Sequence, residues 1–176
     1  MKNLVYVSKS GIEGKGLFAG KYFDFNEIVF QPKGKILHAK KINWDDMGKE
    51  EYDGFLQVGG WEYFDGRPDP EFKYLNHSCN PNMGYRKIKG KVSFVAIKPI
   101  SKGSEITFDY STTMSEEMDE EPMPCRCKSK NCRKMIGDFR FLPKEVQNKY
   151  LALKIVPSYV LEKPTQKVPM IHKKSF

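Results

Sequence analysis

Cysteine is sparse in this 176-residue chain. Its four cysteines are too few for a disulfide scaffold of this length, and the spacing of three of them argues for a metal site in a reducing compartment. Long apolar runs are also missing. No stretch approaches the ~20 residues of a membrane span, and Met1 to Ser10 lacks the apolar core of a secretory signal. A cytoplasmic or nuclear setting is therefore expected. No internal repeat is visible, and Gly14 with Gly16 falls short of the longer glycine fingerprint of a dinucleotide fold.

What is present supports a globular protein of one domain with an appendage, since 39% hydrophobic content with 12 Phe and 9 Tyr is enough for a real core. Charge is distributed unevenly. Residues 1–121 hold 17 Lys and Arg against 19 Asp and Glu, whereas residues 122–176 hold 13 against 3, so the whole basic excess is C-terminal. That excess points to a nucleic-acid or anionic contact, or else to a solvated Lys-rich appendage.

One heptad organises the rest: Asn76-His77-Ser78-Cys79-Asn80-Pro81-Asn82. Pro81 fixes its own φ and pushes Asn80 towards an extended conformation, while the Asn side chains can close local turns. A plain polar loop would use the same residues. Before it, short strands are expected at Leu4 to Val7, Ile28 to Phe30 and Ile36-Leu37, with Gly14-Lys15-Gly16-Leu17-Phe18-Ala19 closing a hairpin on the first. Its two glycines would admit close backbone approach by a ligand. Residues 41–60 are charged and mildly helical, and are expected to form an insert outside the main sheets.

Beyond the heptad, Gly84 to Ile97 alternates as a hairpin with a turn at Lys89-Gly90, and Ile106 to Tyr110 is expected as a further strand. Glu116, Glu117, Asp119, Glu120 and Glu121 form an acidic linker. Pro143 is placed to start a helix running to about Leu153, with Val146, Tyr150, Leu151 and Leu153 as its apolar contacts. From Pro157 onward, Pro157, Pro164 and Pro169 argue for an irregular basic tail.

The cysteines carry the strongest chemical signal. Structural zinc takes four tetrahedral ligands, and Cys125, Cys127 and Cys132 supply three in a loop too short to bury much apolar surface. Cys79 in the heptad is the remaining thiol. Unrelated buried thiols are the plainer alternative, and His77 is an alternative fourth ligand.

Taken in order, five segments resemble the motifs of SET-domain protein lysine methyltransferases with a post-SET zinc element, across residues 4–137. G-K-G-L-F-A (Gly14 to Ala19) resembles the first cofactor-binding strand, Y-F-D-G (Tyr63 to Gly66) the central segment and Y-L-N-H-S-C-N-P-N the signature. E-I-T-F-D-Y (Glu105 to Tyr110) resembles the catalytic strand, and C-R-C-K-S-K-N-C the post-SET cysteines. The resemblance implies a mainly β fold with few short helices: small twisted sheets with pseudoknot-like threading, a zinc-bound post-SET loop and a C-terminal helix. It divides the chain into a SET domain at 1–112, an acidic linker at 113–124, a post-SET element at 125–141, and a helix with basic tail at 142–176.

Position by position, the resemblance implies that Gly14, Lys15, Gly16, Leu17, Asn76, His77 and Tyr110 bind S-adenosylmethionine, with Tyr110 catalytic. Phe108 would limit how many methyls are added, and Cys79, Cys125, Cys127 and Cys132 would hold one structural zinc. The implied partner is a protein with a target lysine, a histone or another basic protein, with nucleic acid a further partner for the basic segment and no membrane. The pattern departs at Gln31 to Lys35, where Pro32 stands in place of a channel tyrosine, and at Gly137, where an aromatic is expected and Phe139 or Phe141 is the substitute. A catalytically silent SET-like chromatin or nucleic-acid binding module is the alternative reading.

Overall fold

The computed structural model describes residues 4–114 and 123–162. Among them, strand β1 (Val5–Lys9) pairs antiparallel with β2 (Lys15–Ala19) in a hairpin. β3 (Ile28–Phe30), β7 (Met83–Ile88) and β8 (Lys91–Ala96) form a second sheet in the order β3-β8-β7. β4 (Lys35–His38), β5 (Phe55–Gln57) and β6 (Glu62–Asp65) form a third, in the order β4-β6-β5. The fold is thus mainly β, with short helices α1 (Lys49–Tyr52) and α2 (Lys144–Ala152) and several single 3-10 turns. None of the described helices is long and apolar enough to cross a membrane.

Local chemistry explains most of these elements. The β7–β8 turn carries Lys89 at φ 49° and Gly90 at φ 77°, two left-handed residues whose twist suits a two-residue hairpin. The main core gathers Leu17, Val29, Phe64, Met83 and Phe94 from these three sheets and Phe23, Phe72, Ile100 and Ile106 from the segments between them. A second cluster joins Ile97 to Phe139, Leu142, Tyr150, Ile155, Tyr159 and Val160, which docks the C-terminal unit onto the β7–β8 sheet. Gly84 is required there, because a Cβ on it would overlap the Ile155 side chain.

Four expectations need correction. Residues 41–60 do not stay outside the sheets: β5 pairs with β6, because the Gly59-Gly60 turn returns the chain and lets Leu56 and Val58 bury. Trp44 closes the remainder by packing at tilted and edge-on angles against Tyr52, Phe55 and Tyr63. The stretch from Ile106 to Tyr110 is extended but not a ladder strand, since its backbone bonds are shared among Leu17, Asn76, Ser78, Asn82 and Met83. It makes isolated bridges at Glu105 with Phe18 and at Phe108 with His77.

The chain is not an irregular tail directly from Pro157. Ser158–Val160 forms a 3-10 turn whose Tyr159 and Val160 are buried, so apolar docking overrides the proline signal. Leu151 points away from the core, being 37% exposed, whereas Tyr150 one position earlier is buried. Pro164, Pro169 and the five acids from Glu116 to Glu121 lie outside the described residues.

Candidate active site and metal centre

The site forms where the segment 105–110 is laced between the two arms of the loop 76–83. The backbone N–H of Phe108 donates to Asn76 O at 3.3 Å, and that of Ser78 donates to Phe108 O at 3.1 Å. On the other side, the N–H of Met83 donates to Thr107 O at 3.0 Å and the N–H of Thr107 to Asn82 Oδ1 at 2.9 Å. Asn82 Nδ2 also donates to Glu105 O. The heptad is therefore a scaffold that fixes the backbone of the next motif, and its Asn content is used for that purpose.

Asn76 reaches the first hairpin. Its Nδ2 lies 2.8 Å from Glu105 Oε1, 3.0 Å from Lys15 O and 3.1 Å from Ser10 Oγ. Ser10 Oγ in turn donates to Glu105 Oε1 at 2.7 Å. This network presses against Gly16, where a Cβ would overlap the Glu105 carboxylate and sit 3.1 Å from Asn76 Nδ2. Gly14, at φ 41°, has open space around it. Gly14, Gly16 and Asn76 are thus brought together, Lys15 extends over the Tyr74 ring, and Leu17 is a fully buried core residue.

Phe108 and Tyr110 stand side by side, their ring centroids 4.8 Å apart, with Phe108 also edge-on to Phe94. The Tyr110 hydroxyl donates to Leu75 O at 2.7 Å. Burial of that hydroxyl, with Asp53 as a further negative charge, raises its pKa well above the ordinary range. Tyr110 is therefore a neutral hydrogen-bonding phenol and not a base.

His77 is buried with both ring nitrogens engaged. Nδ1 accepts the Tyr110 N–H at 3.2 Å, so the ring proton sits on Nε2, 3.4 Å from Cys79 Sγ. Burial is the main reason its pKa is lowered to about 4; Arg133 pushes it further down and Asp109 opposes. The ring is neutral and lies behind the thiol cluster.

Cys79, Cys125, Cys127 and Cys132 bring their Sγ atoms within 4.8 Å of one another. Cys79 and Cys125 are 3.6 Å apart, close to the S–S edge of about 3.8 Å that a tetrahedron with 2.3 Å zinc–sulfur bonds requires. Peptide N–H groups of Cys79, Arg133 and Lys134 are directed at the sulfurs of Cys127, Cys79 and Cys132 at 3.4–3.5 Å, as suits thiolate ligands. The donor set fits zinc, and His77 is not needed to complete it. The loop is tied to the β1–β2 hairpin by Arg126 on Glu13 and by Lys128 Nζ on Gly11 O.

The sequence reading missed Asp109, Arg133 and Tyr150. Asp109 is 1% exposed and accepts two bonds of 2.8 Å from the Arg133 guanidinium, one of 3.0 Å from the Tyr150 hydroxyl and one of 3.1 Å from the Ser111 N–H. Asp109 sits between the two site aromatics and Arg133 directly after the last cysteine, and that complementary pair of charges was the available signal. Of the two candidate post-SET aromatics, Phe139 is consumed by the second core cluster and Phe141 is 76% exposed.

Residues 14–111 match the family model described as SET domain. Among curated proteins, the chain is 30% identical over 147 residues to human "Histone-lysine N-methyltransferase 2D", covering 77% of this chain and 3% of that protein. It is 27% identical over 143 residues to "Histone-lysine N-methyltransferase, H3 lysine-36 specific" of Candida glabrata, covering 76% and 19%. The chain thus spans only a small fraction of these relatives. Among solved structures it resembles that of KRYPTONITE in complex with mCHH DNA, H3(1-15) peptide and SAH, with TM-score 0.57 and 20% identity, covering 75% of this chain and 29% of the other. The matched segment runs from the glycine turn through the signature heptad to the residue after Tyr110, more than half of the sequence, and the chain belongs to the SET-domain family.

Proposed function

We propose that this chain is an S-adenosylmethionine-dependent protein lysine N-methyltransferase whose SET core is closed by a zinc-bound post-SET loop. The observation that carries it is the convergence of Tyr110, Phe108, Asn76 and Gly16 through one connected set of backbone and side-chain contacts within a SET domain. The cofactor, when bound, supplies a methyl on a sulfonium, which the lysine nitrogen takes as the C–S pair returns to sulfur.

Gly14, Lys15, Gly16 and Leu17 offer backbone to the cofactor, and Gly16 keeps that wall free of a Cβ. Asn76 offers its side-chain carbonyl and its backbone N–H, since its Nδ2 is committed to the hairpin and its backbone carbonyl to Phe108. With both ring nitrogens of His77 occupied, this residue contributes its backbone and the position of Tyr110. The neutral Tyr110 phenol orients the amine near the reacting centre. Free lysine has a pKa of about 10.4, and an apolar channel beside a positive sulfonium favours the neutral amine that attack requires. No carboxylate or imidazole in these motifs serves as a base. Rate then comes mainly from alignment, worth on the order of 7–11 kcal/mol at most.

The divisions at 1–112, 113–124, 125–141 and 142–176 are retained as functional units: cofactor site, linker, metal clamp and C-terminal buttress. The names of the relatives support a histone or another basic protein as substrate and a nuclear setting. A nucleic-acid contact by residues 122–176 draws less support, because Arg126, Arg133 and Arg140 are already paired with Glu13, Asp109 and Asp138.

The test is incubation of the zinc-loaded protein with methyl-labelled cofactor and separate panels of histones, other basic DNA-binding proteins and the protein itself. Transfer to lysine, lost in Tyr110→Phe, is expected. Cofactor binding without transfer to any panel would instead favour the silent binding module, the reading to which Pro32 lends its one argument.

A further inference from the structure

Resting on that reading, we infer that Arg133 and Tyr150 are positioning residues for Tyr110, acting through Asp109, so that the metal loop and the C-terminal helix are working parts of the active site. Asp109 is the hub. Its two oxygens receive four hydrogen bonds, two from Arg133, one from Tyr150 and one from the Ser111 N–H. A carboxylate so enclosed is fixed in place by those donors.

The bond to Ser111 caps the 3-10 turn Tyr110–Thr112, and therefore sets where that turn begins. His77 Nδ1 lies 3.5 Å from Asp109 Oδ1 and accepts the Tyr110 N–H, so the peptide group of Tyr110 is held from a second direction by a ring that borders the same carboxylate. Movement of Asp109 therefore moves Tyr110. A hydroxyl that must meet the amine within hydrogen-bond range tolerates little such movement, and misplacement by about 1 Å can cost on the order of 100-fold in rate.

Arg133 is fixed at both ends. Its backbone N–H points at Cys79 Sγ at 3.4 Å, and its guanidinium forks onto Asp109 with a further contact to Ser111 Oγ at 3.4 Å. A metal held by the four cysteines would thereby also help to place the counter-charge of Asp109. Tyr150 approaches from α2, fully buried, on the oxygen that Arg133 Nη1 also contacts. The helix is held against the β7–β8 sheet by Ile155 on Gly84 and by the Arg86 guanidinium donating to Leu153 O at 2.7 Å. Neither Arg133 nor Tyr150 belongs to the SET segment at 14–111, yet both terminate on the residue beside its catalytic tyrosine.

The experiment uses the full chain, zinc-loaded, as Tyr150→Phe, Arg133→Lys and Arg133→Met/Asp109→Asn. Tyr150→Phe keeps the ring and its packing, and Arg133→Lys keeps the charge, so both are expected to fold. Metal content, melting temperature, kcat and KM for an acceptor lysine peptide, and the 19F resonance of fluorotyrosine-labelled Tyr110, assigned with Tyr110→Phe, are measured together. The expected result is kcat lowered roughly 10–100-fold in Arg133→Lys and less in Tyr150→Phe, with KM and metal content near parental and the Tyr110 resonance shifted. The double variant should fall by less than the product of the losses in Arg133→Met and Asp109→Asn, also measured.

An unmoved Tyr110 resonance with parental kcat in both conservative variants would overturn the inference. So would losses that follow metal content or melting temperature, which would leave these residues a purely structural role. The resonance does not require turnover. Should the parent transfer methyl to no substrate, the proposed activity fails while the shift still decides the positioning claim.

Discussion

The hydroxyl of Tyr110 donates to the carbonyl oxygen of Leu75 at 2.7 Å, which ties the last motif of the site to the residue just before the signature heptad. Tyr110→Phe removes that donor and leaves a buried carbonyl without it, at a cost of about 1–3 kcal/mol in stability. The ring contacts with Phe108 and His77 remain. The variant should fold, bind cofactor within a few-fold of the parent and lose nearly all transfer. Titration with S-adenosylhomocysteine alongside a labelled-methyl assay checks both halves, and a variant with more than a tenth of parental kcat would remove Tyr110 from the chemistry.

A second prediction concerns the glycine wall. Gly16→Ala places a methyl against the Glu105 carboxylate and Asn76 amide, two side chains bonded to each other and to Ser10. They must separate or shift, so cofactor affinity should fall about tenfold or more while the β1–β2 hairpin persists, a loss of roughly 1.4 kcal/mol. Gly14→Ala meets no neighbouring atoms and suffers only from its left-handed φ. Calorimetric titration of both variants should therefore rank Gly16→Ala as the worse binder, and the reverse order would place the cofactor elsewhere.

Alkaline stability follows from the buried phenols. Burial first, and Asp109 second, raise the pKa of Tyr150 well above its ordinary value, and Tyr110 is raised by burial and Asp53. Above a pH of about 10 the unfolded chain loses these protons while the folded chain keeps them, so the unfolded state binds fewer protons and stability falls as pH rises. Below that pH the contribution is complete. Urea midpoints from pH 9 to 11 should fall more steeply for the parent than for Tyr150→Phe, which removes one such phenol. Equal slopes would show that Tyr150 is solvated.

Much of what the structure brings together at the candidate site was legible because the residues lie in short, ordered motifs whose chemistry is local: thiols at metal spacing, glycines at a close approach, an aromatic pair on one extended segment. The Asp109 hub was not, because it joins residues 24 and 41 positions apart through side chains that look unremarkable alone. Tyr159 escaped in the same way. Its hydroxyl donates to Thr113 O at 2.7 Å and Gln57 O at 3.1 Å, a tertiary anchor that no proline count reveals. The strand expected from Ile106 to Tyr110 failed for a related reason: alternation predicts an extended backbone but not whether one neighbour or five will share its hydrogen bonds.

Chelation should separate the two parts of the molecule. Three of the four thiols lie in the loop and one in the heptad, so zinc removal frees the loop at one end while the three-sheet core retains its own apolar contacts. Hydrogen exchange should accelerate in residues 125–141 and leave β3, β7 and β8 protected, with cofactor binding weakened. One zinc per chain is expected by metal analysis. A Cys125→Ser protein that is fully active, or a chelated protein whose core exchanges as fast as its loop, would refute this division.

A prediction of product state rests on Phe108. This residue is 5% exposed and wedged between Phe94 at 5.1 Å and Tyr110 at 4.8 Å, so the space beside the reacting tyrosine is apolar. A lysine that already carries a methyl must turn its lone pair back towards the sulfonium, and the added methyl needs volume that a hydroxyl or its bound water would occupy. With phenylalanine there, and Pro32 where a channel tyrosine would stand, the expected products are di- and trimethyllysine. Phe108→Tyr adds a buried hydroxyl that needs a partner or costs about 1–3 kcal/mol, and water held by it would block the later transfers first. Mass spectrometry of a peptide over time under excess cofactor should show the parent passing through monomethyl and the variant accumulating it. A parent that halts at monomethyl, with Phe108→Tyr giving the same product, would assign the limit to another wall of the channel.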